Sequence, residues 1–145
     1  MKLQSRQIVL AESKAWLGVK FSHLGRSKTS GVDCLGLIEG IWTNLYSEFP
    51  FRNLVYNRPR SINPHKEVDA DQLGNHLIEL PKFSPNQISL IIFELSQFRF
   101  HLGIGVTNIQ ATHLIHTDFI NGVVLEQLSS RWSKKIKTIY NFSEE

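Results

Sequence analysis

Cysteine is all but missing: Cys34 is the single one in 145 residues. An intramolecular disulfide is therefore excluded, which points to a reducing compartment or to a thiol with chemistry to perform. Long apolar runs are missing too. The longest, Ile88 to Phe93, is interrupted by Ser89 and reads as a buried strand, far short of the run of about 18 apolar residues that a membrane-spanning helix needs. Charge of one sign is scarce: 16 Lys+Arg against 13 Asp+Glu gives a net +3, too weak and too dispersed to argue for nucleic-acid binding. The densest basic run, Arg131-Trp132-Ser133-Lys134-Lys135-Ile136-Lys137, reads as a solvated face, as short charge runs usually do. Residues Met1 to Glu12 hold neither a continuous apolar stretch nor a convincing cleavage site. That predicts a chain that stays in the cytoplasm unless another machine carries it out. Internal repeats and low-complexity segments are absent as well.

What remains is the composition of a folded protein, with 41% hydrophobic residues. The length fits one compact domain over residues 1–145. Ile8, Ala11, Ala15 and Trp16 recur at helical spacing and predict a helix over about residues 4–17, with Gly18 as its stop. Residues 18–31 read as a loop. From Val32 or Asp33 a second helix begins, and Leu35, Leu37, Ile38, Ile41, Trp42 and Leu45 make it apolar nearly all round. Such a helix belongs in the middle of the domain, with Gly36 and Gly40 allowing a neighbouring sheet to come close. Residues 50–64 are irregular. Val68, Leu73, Leu77, Ile78 and Leu80 predict a further helix over 65–80, ended by Pro81. The pattern then changes to short β-branched or alternating runs at Ile88–Glu94, His101–Thr107, Thr112–His116, Gly122–Leu125 and Ile136–Asn141. Helices first and strands later predict an α+β fold, an antiparallel sheet with helices on one side.

Cys34 stands at the start of the buried helix, in Gly31-Val32-Asp33-Cys34-Leu35-Gly36-Leu37-Ile38. Free amides and the positive end of the helix dipole gather there and favour a thiolate. The same amides are suited to holding an oxyanion, and Asp33 is placed to cap the helix. The plainer alternative is that Cys34 is a small buried hydrophobe. Downstream, His101 opens a strand on the same face as Gly103, where a missing side chain leaves room for another group. His113 and His116 lie three apart, so on a strand they face opposite sides and only one of them can join His101. A cysteine on a helix, a histidine on one strand and an orienting histidine on the next is an arrangement of nucleophile, base and orienter. A zinc site from His101, His113, His116 and Asp118 competes with it, but would leave Cys34 unexplained. His65 and His76 read as surface residues. Trp42, Tyr46, Phe93, Phe98 and Phe100 read as core. Arg26 and Lys28, in the loop before Cys34, are either ligands for a substrate carboxylate or solvated cations.

Gly31 to Ile38, then His101-Leu102-Gly103-Ile104, then Leu114-Ile115-His116 resemble, in order, the three signature segments of NlpC/P60 cysteine peptidases. Trp16-Leu17-Gly18, His23-Leu24-Gly25-Arg26, and Trp132 with the basic residues around it are similar to the phage-tail and gene-transfer-agent branch of that family. The likeness runs from about residue 14 to about residue 140. It implies a papain-like α+β fold, with the cysteine helix packed on an antiparallel sheet. It also implies Cys34 as nucleophile, His101 as general base and acid, and His116 as the orienting residue, with no metal or organic cofactor. The implied reaction is cleavage of peptide amides in peptidoglycan stem peptides through a thiolate–imidazolium pair formed near neutral pH. The implied setting is a phage tail, made in the cytoplasm and presented on the virion, with other tail proteins as partners. Two departures stand out. The family's tyrosine about a dozen residues before the cysteine falls in Phe21-Ser22-His23, leaving His23 as the stand-in donor at the oxyanion site. Its Pro-Gly-Asp turn reads Pro85-Asn86-Gln87. The spacing from His101 to His116 also leaves His113 open as the orienting residue. A tail-assembly protein that keeps the fold without the activity is the alternative function.

Overall fold

The computed structural model describes residues 2–47, 49, 76–96 and 99–144. Chain order gives α1 (Arg6–Lys14), β1 (Arg26–Ser27), β2 (Gly31–Val32), α2 (Cys34–Tyr46), β3 (Glu79–Leu80), β4 (Ile88–Ser96), β5 (Arg99–Thr107), β6 (Thr112–Asp118), β7 (Gly122–Gln127), α3 (Ser130–Ser133) and β8 (Ile136–Asn141). Six strands form one antiparallel sheet in the order β3-β8-β4-β5-β6-β7, and β1 pairs with β2 in a small hairpin. This is the α+β arrangement expected from the order of helical and strand-like patterns.

Helix α2 is apolar because it is covered on several sides. Leu35, Leu37, Ile38, Ile41 and Trp42 are buried in a core shared with Leu90 and Ile92 of β4, Leu102 and Ile104 of β5, and Ile115 of β6. The opposite face of the sheet is covered as well, by Phe83, Trp132 and Ile136 packing on Ile91, Phe93 and Leu114. Strand β4 thus has apolar demands on both faces, so Ile88 to Phe93 are all buried rather than alternating. Tyr46, in the last turn of α2, ties three segments together. Its hydroxyl donates to the Phe142 carbonyl at 2.7 Å and accepts from the Gln4 amide at 3.2 Å. Tyr46→Phe removes both bonds at a partly buried site and should cost about 1–2 kcal/mol in urea unfolding.

Four local expectations are corrected. In α1 the buried side is Val9 and Ser13, with Trp16 buried just beyond the helix, while Ile8, Ala11 and the capping Ala15 are exposed. Ser13 can turn inward because its hydroxyl donates to the Val9 carbonyl at 2.8 Å. The segment 18–31 contains a strand pair, β1 and β2, rather than loop alone. The helix expected over 65–80 falls largely outside the described residues, but its described end is extended. There Glu79 and Leu80 pair with Tyr140 and Ile139 of β8, so sheet pairing overrides a locally helical pattern. Finally, Gly36 and Gly40 do not face the sheet. A side chain at Gly36 would run into the Gly25 carbonyl, and one at Gly40 into the Trp16 ring. They admit the loop before Cys34 and the end of the first helix.

Candidate active site

The loop before α2 is built to hold one carboxylate. Asp33 is buried and caps the helix: Oδ1 accepts from the Gly36 amide at 2.8 Å and Oδ2 from the Leu24 amide at 2.8 Å. Arg26 Nη1 donates to Oδ1 at 3.1 Å, while its Nε reaches Glu39 Oε2 at 2.7 Å. On the other side, the Thr117 hydroxyl of β6 donates to the Asp33 carbonyl at 3.3 Å. The first turn of α2 is therefore pinned both to the preceding loop and to the sheet. Asp33 acts as the expected cap. Arg26, offered by the sequence as a ligand for a substrate carboxylate, spends its guanidinium on Asp33 and Glu39.

Cys34 follows directly and is only 6% exposed. Regular pairing between β5 and β6 runs from Thr107↔Thr112 to Ile104↔Ile115 and stops there. Just beyond that point, the backbone amides of Leu102 and of Leu35 are directed at the Cys34 sulfur. The sulfur thus lies beside the residue that follows His101.

His101 and His116 meet on the sheet face opposite the α2 core. His101 Nε2 and His116 Nδ1 are 2.9 Å apart, with the rings edge to face at 86°. The room left by Gly103 is taken by Leu114 and His116, whose atoms a Cβ at that position would meet. His116, not His113, is the histidine that joins His101. No hydrogen bond links His101 to the Cys34 sulfur among the described residues. Nor do three His, Cys, Asp or Glu groups converge as a metal site among them.

Two neighbours of this pair were not singled out by local sequence patterns. Trp132, from α3, stacks on His101 with ring centroids 5.0 Å apart at 25°, and meets His116 edge-on. In the sequence it sits within the basic run Arg131 to Lys137. Glu126 of β7 brings Oε1 to 3.3 Å from His116 Nε2. Alternation along β7 puts Glu126 on the face of Val124, which pairs with His116. That alternation identifies Glu126 once the pairing is known.

The electrostatics correct the expectation of a resting thiolate. Burial pushes the Cys34 thiol up from 9.0 to about 12, and the adjacent Asp33 carboxylate pushes the same way. The amide dipoles and Arg26 oppose this and lose. Burial pushes His101 down from 6.5 to about 3, with the nearby His116 contributing. His116 is lowered as well, by burial outweighing Glu126 and Asp118. At rest, then, the Cys34 thiol and both imidazoles are neutral.

Its pH consequences have definite signs. With His101 depressed in the folded state, the unfolded chain binds more protons between about pH 3 and 6.5, so stability should fall as pH drops through that window. With the thiol raised, stability should also fall as pH climbs from 9 toward 12. Iodoacetamide should accordingly label Cys34 in the folded protein more slowly than a free thiol between about pH 6 and 8. Labelling faster than the free thiol would contradict the neutral resting state.

Phe21 bridges to Val32 and lies 5.0 Å from the Phe119 ring, holding its place without a hydroxyl. His23 is exposed, His113 is partly buried on the other side of β6 from His116, and His76 is exposed. His65 and Phe98 lie outside the described residues. No helix among the described residues is long and apolar enough to cross a membrane.

No protein-family model matches this chain, and no curated protein does either. Among solved structures, it is similar to a Staphylococcus aureus subsp. aureus Mu50 protein described as similar to lipoprotein, NLP/P60 family, with a TM-score of 0.61 and 14% identity. The match covers 97% of this chain and 42% of that protein. At that identity the likeness is one of fold. An antiparallel six-stranded sheet with α2, begun by Cys34, packed upon it is the architecture that this chain shares with an NlpC/P60 protein.

Proposed function

We propose that the chain is a cysteine peptidase that hydrolyses amide bonds in peptidoglycan stem peptides. The reading is carried by the 2.9 Å bond between His101 and His116, with the sulfur of Cys34, which begins α2, held against the amide of Leu102, the residue after His101, in an NlpC/P60-like fold. Cys34 is the nucleophile, His101 the general base and acid, and His116 holds the His101 ring. Because the resting thiol is neutral, proton removal accompanies attack. As the sulfur bonds to the amide carbon, His101 takes the thiol proton and the carbonyl π electrons move onto oxygen. The first-turn amide of Cys34, not needed within the helix, receives that oxyanion, with His23 as the side-chain donor in place of the family's tyrosine. When the oxyanion collapses, the C–N bond breaks and His101 returns the proton to the leaving amine. A water molecule, deprotonated by His101, then cleaves the thioester and restores the thiol. No metal or organic cofactor enters.

The setting follows from the sequence resemblance: a phage or prophage tail component, made in the cytoplasm and carried on the virion. A second reading is a tail-assembly protein that keeps the fold without turnover. The absence of a hydrogen bond between Cys34 and His101, and Phe21 where the family has a phenol, favour it. Incubating the purified protein with peptidoglycan and identifying the released fragments by mass spectrometry separates the two. New amino termini within the stem peptides support the peptidase; an unchanged digest supports the structural reading.

A further inference from the structure

His101 and His116 are both neutral donors and acceptors, so the 2.9 Å contact between them leaves two arrangements open. In one, His101 Nε2–H donates to His116 Nδ1, leaving His101 Nδ1 with a lone pair. In the other, His116 Nδ1–H donates to His101 Nε2, and His101 Nδ1 carries the proton. Only the first leaves His101 a ring nitrogen that can accept the thiol proton, because Nε2 is occupied in both. Nothing within the pair decides between them.

The decision comes from the far side of His116. His116 Nε2 is buried and has no aligned hydrogen-bond partner, and the Glu126 carboxylate oxygen lies 3.3 Å from it. A carboxylate accepts and does not donate. Facing it, a protonated Nε2 is attracted and a bare lone pair is repelled. With Nε2 protonated, neutral His116 has an unprotonated Nδ1 and must accept from His101. We infer that Glu126 is a positioning residue: through His116 it sets His101 in the tautomer whose Nδ1 is the base. The other groups around His116 leave this choice to Glu126. Asp118, on the same strand, acts on it at longer range, and Trp132 offers a ring face and edge rather than an acceptor. Glu126 is 46% exposed on β7 at the edge of the sheet, so it can be replaced without disturbing the core.

The catalytic meaning of this tautomer rests on the peptidase reading, but the tautomer itself can be read without turnover. The experiment is long-range 1H–15N correlation of imidazole-labelled protein at slightly alkaline pH, on wild type, Glu126→Leu and Glu126→Gln, with peptidoglycan cleavage measured in parallel. Wild type should show His101 protonated on Nε2 and His116 protonated on Nε2. Glu126→Leu should give mixed tautomers at both rings and lower kcat about tenfold or more with KM little changed. Glu126→Gln still offers an amide oxygen, so it should keep the wild-type tautomers and lose activity only part-way. A wild-type His101 protonated on Nδ1, or tautomers unmoved in Glu126→Leu, overturns the inference whatever the activity. The expected tautomers in a protein that cleaves nothing uphold the role of Glu126 and reject the peptidase.

Discussion

Cys34→Ala should lose amide hydrolysis by about four orders of magnitude or more, because removing a nucleophile removes the covalent route entirely. The fold should survive. The thiol is a small buried group in the core around α2, and no disulfide depends on it. His101→Ala should fall to a similar floor. The two losses should not add in the double variant, since each group is useless without the other. Kinetics on a defined stem-peptide substrate, with circular dichroism to verify folding, check the pattern. Independent, additive losses would mean that the cysteine and the histidine do not act as one unit.

The largest effect on stability is expected from Asp33→Ala. Its carboxylate caps α2, holds the Leu24 amide and pairs with Arg26. Removing it strands two backbone donors and half-frees a guanidinium, and should cost about 3 kcal/mol in urea unfolding. The same change should have an opposite-looking effect on the sulfur. Asp33 is one of the groups that hold the thiol up near 12, so without it the thiol should ionise more easily and alkylate faster. Asp33→Asn should recover part of the cap while still easing ionisation. Loss of stability with no gain in thiol reactivity would show that burial alone sets the resting thiol.

These two residues also mark how far local pattern reaches. The start of α2 was legible because a capping Asp precedes a cysteine and an apolar helix, and each of those signals acts within a few residues. Strand alternation made it legible that one of His113 and His116, not both, joins His101; the resemblance pointed to His116 and left His113 open, and the strand pairing decides for His116. The state of Cys34 was not legible. The helix dipole is a local feature, whereas the burial that defeats it comes from sheet residues about 70 positions away in the chain. Glu126 was hidden for the same reason, since its place beside His116 depends on the β6–β7 register. The inward face of α1 was misjudged because Ser13 satisfies its hydroxyl within its own helix. Leu80 looked helical until β8, some 60 residues later, supplied a pairing partner.

In the proposed mechanism, burial keeps the sulfur protonated until His101 draws the proton away as the sulfur attacks a bound amide. The direct measurement is intact-mass spectrometry of enzyme mixed with a stem-peptide substrate and quenched in acid. An acyl adduct that maps to Cys34, forms in the wild type and is missing from the Cys34→Ala and His101→Ala variants is the expected result. Release of cleaved peptide with no adduct, undiminished by Cys34→Ala, would contradict it.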